Sequence, residues 1–229
     1  MSSKKKELSF SLSDLNILIL GAKLGIGASL ARICAEQNAN VILVDKEEPI
    51  ELADNLRQLA VANIVTYGCD ISNRDAVESL AAELSQRNYS PHSVALTAGI
   101  TFYNDWLETD NETWDRDVEQ IFNVNLAGPI NVARSFLPIM EKNNWGRMVL
   151  VGSIAGRMGG LTSQPHYAAS KGGVHSLTRW LASKYAPSGV LVNAVAPGPT
   201  KTRMTEGRSI DTSKLPLRRM LDPEDIAWP

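Results

Sequence analysis

Apolar residues in this chain fall in short uninterrupted runs that alternate with longer stretches of helical spacing. Residues 15–20 form one such run, and Ile26, Leu30 and Ile33 follow three and four apart, so a strand is expected to lead through a turn into a helix. A second strand over 41–44 ends at Asp45, and Pro49 then stands where a first helical turn tolerates it, ahead of Leu52, Leu56 and Leu59. Residues 63–69 read as a third strand, after which Ser72 with Asp75 resembles a capping box before Val77, Leu80 and Leu84. A fourth strand is expected over 93–98, followed by a polar, aromatic loop over 101–110. Trp114, Val118, Ile121, Phe122 and Val124 mark a helix that Pro129 breaks or bends and that resumes through Ile130, Ala133, Phe136, Leu137 and Met140. A fifth strand over 148–151, a helix from Pro165 and a sixth strand over 190–196 complete the pattern. Residues 200–219 turn polar with little periodicity, which predicts a mobile loop.

Strands apolar on both faces, alternating with helices, imply a parallel sheet with helices packed on both sides. The expected fold is therefore α/β: a doubly wound, Rossmann-like parallel sheet in a single domain over 12–229. Residues 1–11, with Lys4, Lys5 and Lys6 among serines, are expected to be a flexible tail. At 229 residues with 44% hydrophobic composition the chain can bury one large core. A net charge of −2 offers no field for nucleic acid or an anionic membrane, so neither is expected as a partner. No signal peptide or membrane span is expected, and Cys34 and Cys69, far apart and in no C-x-x-C pattern, read as buried thiols; the expected location is the cytoplasm. No metal site is expected.

Chemistry enters at strand ends, where ligands bind in open parallel sheets. Gly21, Gly25 and Gly27 follow the first strand and open the first helix, an arrangement that lets backbone approach a pyrophosphate beside a helix N-terminus. Asp45, at the end of the second strand, is placed to accept both hydroxyls of a ribose. Strand, glycine turn, helix and acid together predict a dinucleotide. Tyr167 and Lys171 lie four apart on an expected helix and so share one face. A phenol with a pKa of about 10 is a poor base at neutral pH, and a neighbouring cation favours the phenolate.

These motifs, in this order over residues 12–229, resemble the single-domain branch of the short-chain dehydrogenase/reductase family. Gly21, Gly25, Ile26 and Gly27 match its Gly-x-x-x-Gly-x-Gly cofactor loop, with Leu24 inside it, Asp45 its ribose acid and Asp70 the acid near adenine. Ala98 and Gly99 match part of its Asn-Asn-Ala-Gly motif, and Asn193, Pro197, Gly198 and Thr202 the segment flanking the nicotinamide. The resemblance implies a catalytic set of Asn125, Ser153, Tyr167 and Lys171: Tyr167 as acid/base, Lys171 lowering its pKa and binding the nicotinamide ribose, Ser153 on the substrate carbonyl and Asn125 holding a water. Leu20 and Thr97 depart from the pattern, and Thr97 loses the amide that ties central strands together, which puts local rigidity in question. The implied activity is NAD(P)-dependent interconversion of a secondary alcohol and a ketone. Asp45 would repel a 2′-phosphate and Leu24 is not basic, so NAD is favoured, with NADP as the alternative.

A 3-oxoacyl reductase acting on a carrier protein or CoA is an alternative function that Asn144 and Ser188 disfavour, since such relatives tend to carry bases there. A non-catalytic dinucleotide sensor is a second alternative. Ile100, Arg157, Met158, Leu161, His166 and the loop from Pro199 are candidate pocket residues, although His166 reads equally as a packing residue. The resemblance also implies a homodimer or homotetramer, and a C-terminal strand that is missing from this sequence.

Overall fold

A computed structural model of the protein describes residues 12–59, 63–160 and 163–228. The expected tail over 1–11 and the candidate pocket residue Leu161 lie outside the described residues. Six strands, β1 (Asn16–Leu20), β2 (Asn40–Asp45), β3 (Ile64–Gly68), β4 (Ser93–Leu96), β5 (Gly146–Val151) and β6 (Val190–Val195), form one sheet in the order β3-β2-β1-β4-β5-β6. Every pairing is parallel. The register aligns Leu20 with Val44 on one side and with Leu96 on the other, so the C-terminal ends of the three central strands lie side by side.

Eight helices accompany the sheet among the described residues: α1 (Gly25–Glu36), α2 (Ile50–Leu59), α3 (Arg74–Gln86), α4 (Asn111–Phe122), α5 (Gly128–Lys142), α6 (Ala155–Met158), α7 (Pro165–Tyr185) and α8 (Glu224–Ala227). Successive side chains of a strand face opposite sides, and β1 shows the consequence. Leu18 and Leu20 join one core with Val77, Leu84, Phe136, Leu137 and Val174 from α3, α5 and α7. Ile17 and Ile19 join the other with Ala31, Cys34, Ala53 and Leu56 from α1 and α2. All five residues of β1 are buried, and full burial of a Leu or Ile side chain contributes about 1.5–3 kcal/mol.

Four sequence expectations change. The edge strands are not apolar on both faces, since β3 is only half-buried beyond Ile64, and Leu191 of β6 is exposed while Val190 and Val192 are buried. The cap of α3 is Asn73, whose side chain accepts from the Ala76 N–H at 3.1 Å, while Ser72 instead donates its hydroxyl to Asp70 at 2.6 Å. The irregularity in the long fourth helix is a π-turn at Asn123–Ala127, starting six residues ahead of Pro129 rather than at it. The segment after β6 contains 3₁₀ turns at Arg203–Thr205 and Thr212–Lys214 and is pinned by a bridge between Thr200 and Leu221. Both cysteines are free and buried, and burial pushes their thiols up to about 12 for Cys34 and about 11 for Cys69.

Candidate active site

The strand order reverses between β1 and β4, and a cleft of about 1470 Å³ opens over the C-terminal ends of the strands there. Its cofactor-side wall begins with the turn after β1. Gly21 has φ +90 and its N–H donates to the Val44 carbonyl at 2.8 Å; a Cβ there would stand 2.3 Å from the Ala98 backbone nitrogen. At Gly27 a Cβ would stand 2.1 Å from the Gly21 carbonyl oxygen, so the turn and α1 close on one another only without side chains. Leu24 precedes α1 and supplies no side-chain cap, which leaves the first-turn N–H groups free of a side-chain acceptor. Such a helix end favours an anion.

Asp45 closes this end of the cleft. Its two carboxylate oxygens accept the Lys23 and Lys46 N–H groups at 2.9 and 2.8 Å. Asp70 pairs with Lys46 at 2.9 Å. Burial alone would raise the Asp70 carboxyl, but its bonds from Ser72 and Lys46 outweigh that and hold it below the usual carboxylate range. Thr97, whose lost amide put rigidity in question, sends its hydroxyl to the Leu20 and Gly21 carbonyl oxygens, 3.0 and 2.9 Å away. A hydroxyl therefore still ties the end of β4 to the glycine turn.

Of the four expected catalytic residues, Ser153, Tyr167 and Lys171 line the cleft, and Asn125 lies behind its wall beside Gly99 and Lys171. Asn125 lies on the π-turn and is fully buried; its amide accepts from the Ile100 N–H and donates to the Ile100 carbonyl, both at 2.8 Å, and also faces the Ser170 hydroxyl at 3.3 Å. Its side chain is thus committed to the backbone after β4. Pro129 has no N–H to give the Asn125 carbonyl in α-helical register. Tyr167 and Lys171 lie on one face of α7, with the Lys171 nitrogen 5.9 Å from the Tyr167 ring centroid. Burial raises the Tyr167 phenol above its ordinary value; the hydrogen bond with Ser153 lowers it in part, and the Tyr103 phenol raises it further.

Lys171, expected to lower Tyr167, does not reverse the upward push of burial on that phenol in this structure. Its ammonium points to the Val151 carbonyl at 2.9 Å, and burial brings its own pKa down to about 8. Ser153 accepts from the Ala155 N–H at 3.1 Å, which fixes its side chain at the start of α6.

Beyond β6, Pro197 accepts from the Ile154 N–H at 3.1 Å, and Pro197, Gly198 and Thr202 line the cleft together with Ile26, Ala98 and Gly99. Ile100 and Met158 line it too. Arg157 does not. His166 is buried with its ring edge-to-face on Trp114 at 5.2 Å, and burial lowers its pKa while Asp117 raises it; it is a packing residue and no part of the cleft wall.

Sequence reasoning missed the brace that holds the substrate-side wall. Asn104 donates to the buried Asp117 carboxylate of α4 at 2.6 Å, and its carbonyl accepts from Gln164 at the start of α7. The neighbouring Tyr103 lines the cleft with Tyr167, and the Arg208 guanidinium from the segment after β6 lies over its ring. Only the polar, aromatic composition of 101–110 hinted at this. Among the described residues no group of three His, Cys, Asp or Glu side chains could hold a metal, and no helix is long and apolar enough to cross a membrane.

A family model described as short chain dehydrogenase matches residues 15–212. Oxidoreductase UcpA of Salmonella typhimurium is 32% identical over 94% of this chain and 85% of its own length. Galactitol 2-dehydrogenase (L-tagatose-forming) of Cereibacter sphaeroides is 36% identical over 86% of this chain and 75% of its own. A crystal structure of a 3-oxoacyl-[acyl-carrier protein] reductase with bound NAD from Brucella melitensis superposes with a TM-score of 0.84 at 29% identity, covering 95% of this chain and 82% of that one.

Proposed function

Because the chain belongs to the short-chain dehydrogenase/reductase family and is an NAD(P)-dependent oxidoreductase acting on CH–OH groups, we propose that it interconverts a secondary alcohol and a ketone with Tyr167 as acid/base. The observation that carries this reading is the convergence of Ser153, Tyr167 and Lys171 at one point of a cleft that also contains the glycine turn and Asp45. The cradle suits a dinucleotide: a glycine turn too tight for side chains, an uncapped helix N-terminus for the diphosphate, and a strand-end carboxylate for the ribose.

The bound nicotinamide would accept or supply the hydride. Ser153 donates to the substrate oxygen as charge develops there, and Tyr167, whose phenol burial favours, gives that oxygen its proton in reduction and becomes the phenolate, the form that takes the proton back in oxidation. Lys171 would hold the cofactor's ribose and keeps its charge near Tyr167, and its pKa, brought down to about 8, lets it exchange a proton near neutrality. With its amide committed to Ile100, Asn125 holds a water through its main-chain carbonyl, which Pro129 leaves without an α-helical donor.

NAD is the proposed cofactor. Asp45 would meet the 2′-phosphate of NADP, and the cations beside it, Lys23 and Lys46, are paired with Glu47 and Asp70. The assembly is proposed to be a homodimer or homotetramer, and the free, buried cysteines support a cytoplasmic location. The test is the near-ultraviolet absorbance of NADH over a panel of alcohols and ketones. Turnover is expected on secondary alcohols; tight NADH binding with no turnover on any compound would favour a dinucleotide sensor.

A further inference from the structure

The charged groups along the cleft divide into two sets. At the cofactor end Lys23 pairs with Glu47 and Lys46 with Asp70, and at the far end Lys214 pairs with Asp211. Arg203 and Arg208 are different: both line the same cleft and make no ion pair or side-chain hydrogen bond among the described residues, and of the two it is Arg208 that lies over an aromatic ring. Its guanidinium carbon sits 3.6 Å from the centroid of the Tyr103 ring. Tyr103 in turn lies close enough to Tyr167 for its phenol to raise that of Tyr167. An arginine is thus held by an aromatic face in the cleft that Tyr167 also lines, with its five N–H donors unclaimed among the described residues.

Stacking restricts a side chain that otherwise loses much rotamer freedom when it binds, while leaving the guanidinium edge open for two parallel hydrogen bonds. Arg208 is exposed to the cleft, where its charge draws anions, and the planar fork of arginine matches a carboxylate. The geometry points to Arg208 as the anchor for a carboxylate on the substrate, so that the protein acts on hydroxy acids and oxo acids whose charged group lies away from the reacting carbon. This inference rests on the oxidoreductase reading of the same site and narrows its substrate class. Tyr103 positions Arg208 and forms the wall between the anchor and Tyr167.

Two measurements separate this inference from the reading beneath it. In the first, levulinate and acetoacetate are compared with their methyl esters as substrates for reduction by NADH. The acid is expected to be preferred over its ester for at least one pair, by kcat/KM. Arg208→Gln should lower that acid-to-ester ratio roughly ten- to a hundredfold through the KM of the acid, and Arg208→Lys should restore part of it. In the second, glutarate and dimethyl glutarate are titrated by calorimetry into wild-type and Arg208→Gln protein saturated with NAD. Glutarate is expected to bind the wild type at least about tenfold more tightly than the variant, and the diester to bind neither.

Equal use of acid and ester, a ratio unmoved by Arg208→Gln, or glutarate binding that is absent or equal in the two proteins would each overturn the anchor. A rise in the NADH dissociation constant of the variant with the ratio unchanged would also overturn it, assigning Arg208 to the cofactor. Glutarate binding that depends on Arg208, without turnover of any compound, would uphold the anion site and defeat the oxidoreductase reading. Turnover without charge selectivity would do the reverse.

Discussion

The ammonium of Lys171 donates to the carbonyl of Val151, the last residue of β5, at 2.9 Å from a side chain only 4% exposed. A buried cation held by one neutral acceptor is costly, and burial accordingly brings its pKa from 10.5 down to about 8. Between those values the unfolded chain binds this proton more strongly than the folded one, so stability from this group rises with pH across the window. Below about pH 8 both states carry the charge and the folded state bears the full burial cost. Lys171→Met is therefore expected to melt a few degrees above the wild type near neutrality, less about 1 kcal/mol for the bond lost at Val151. That gap should close as the pH is raised to about 10. Thermal melts of both proteins across that range check this, and a constant gap would show that the ammonium carries no burial cost.

Tyr167→Phe removes the proton donor and keeps the ring. Turnover is expected to fall by about a hundredfold to ten-thousandfold or more, while NADH still binds. Fluorescence titration of NADH beside the absorbance assay checks both halves. Because burial raises the phenol, reduction by the wild type should hold steady around neutrality and decline in alkali, where Tyr167 begins to lose its proton.

Asp45 accepts two backbone N–H groups, lines the cleft with the glycine turn, and is proposed to hold the ribose. Replacing it by serine keeps a hydrogen-bonding group and removes the charge that meets a 2′-phosphate. The ratio of kcat/KM for NADPH over NADH is expected to rise by roughly tenfold or more as the repulsion is removed. A wild type that already prefers NADPH would contradict the cofactor assignment.

Gly21→Ala would combine a left-handed backbone at φ +90 with a Cβ placed 2.3 Å from the Ala98 nitrogen. The neighbour is backbone in a central strand connection and cannot step aside. A loss of more than about 2 kcal/mol is expected, read as a lower urea midpoint, together with weakened NADH binding.

Much of this molecule was legible in one dimension because two of its signals are local. Apolar runs such as 41–44 can be buried on both faces only inside a covered parallel sheet, and glycines can be read as turn residues from their place between a strand and a helix. The edge strands were misjudged since, among the described residues, β3 and β6 lack a neighbour on one side, a fact of strand order rather than of composition. The cap of α3 slipped by one residue because Ser72 and Asn73 are both competent caps, and only the demand of Asp70 for the Ser72 hydroxyl decides between them.

By itself the sequence determined the class of fold, the glycine cradle, the acid beside it and the Tyr167–Lys171 pair, since each depends on residue type at fixed spacing along one element. Tertiary structure alone decided what those groups experience. Lys171 turns to Val151 and leaves Tyr167 raised rather than lowered; Asn125 spends its amide on Ile100; His166 packs against Trp114. Arg208 meets Tyr103 across more than a hundred residues of chain. Desolvation and long-range contact depend on which elements close over a group, and no spacing along the chain encodes that closure.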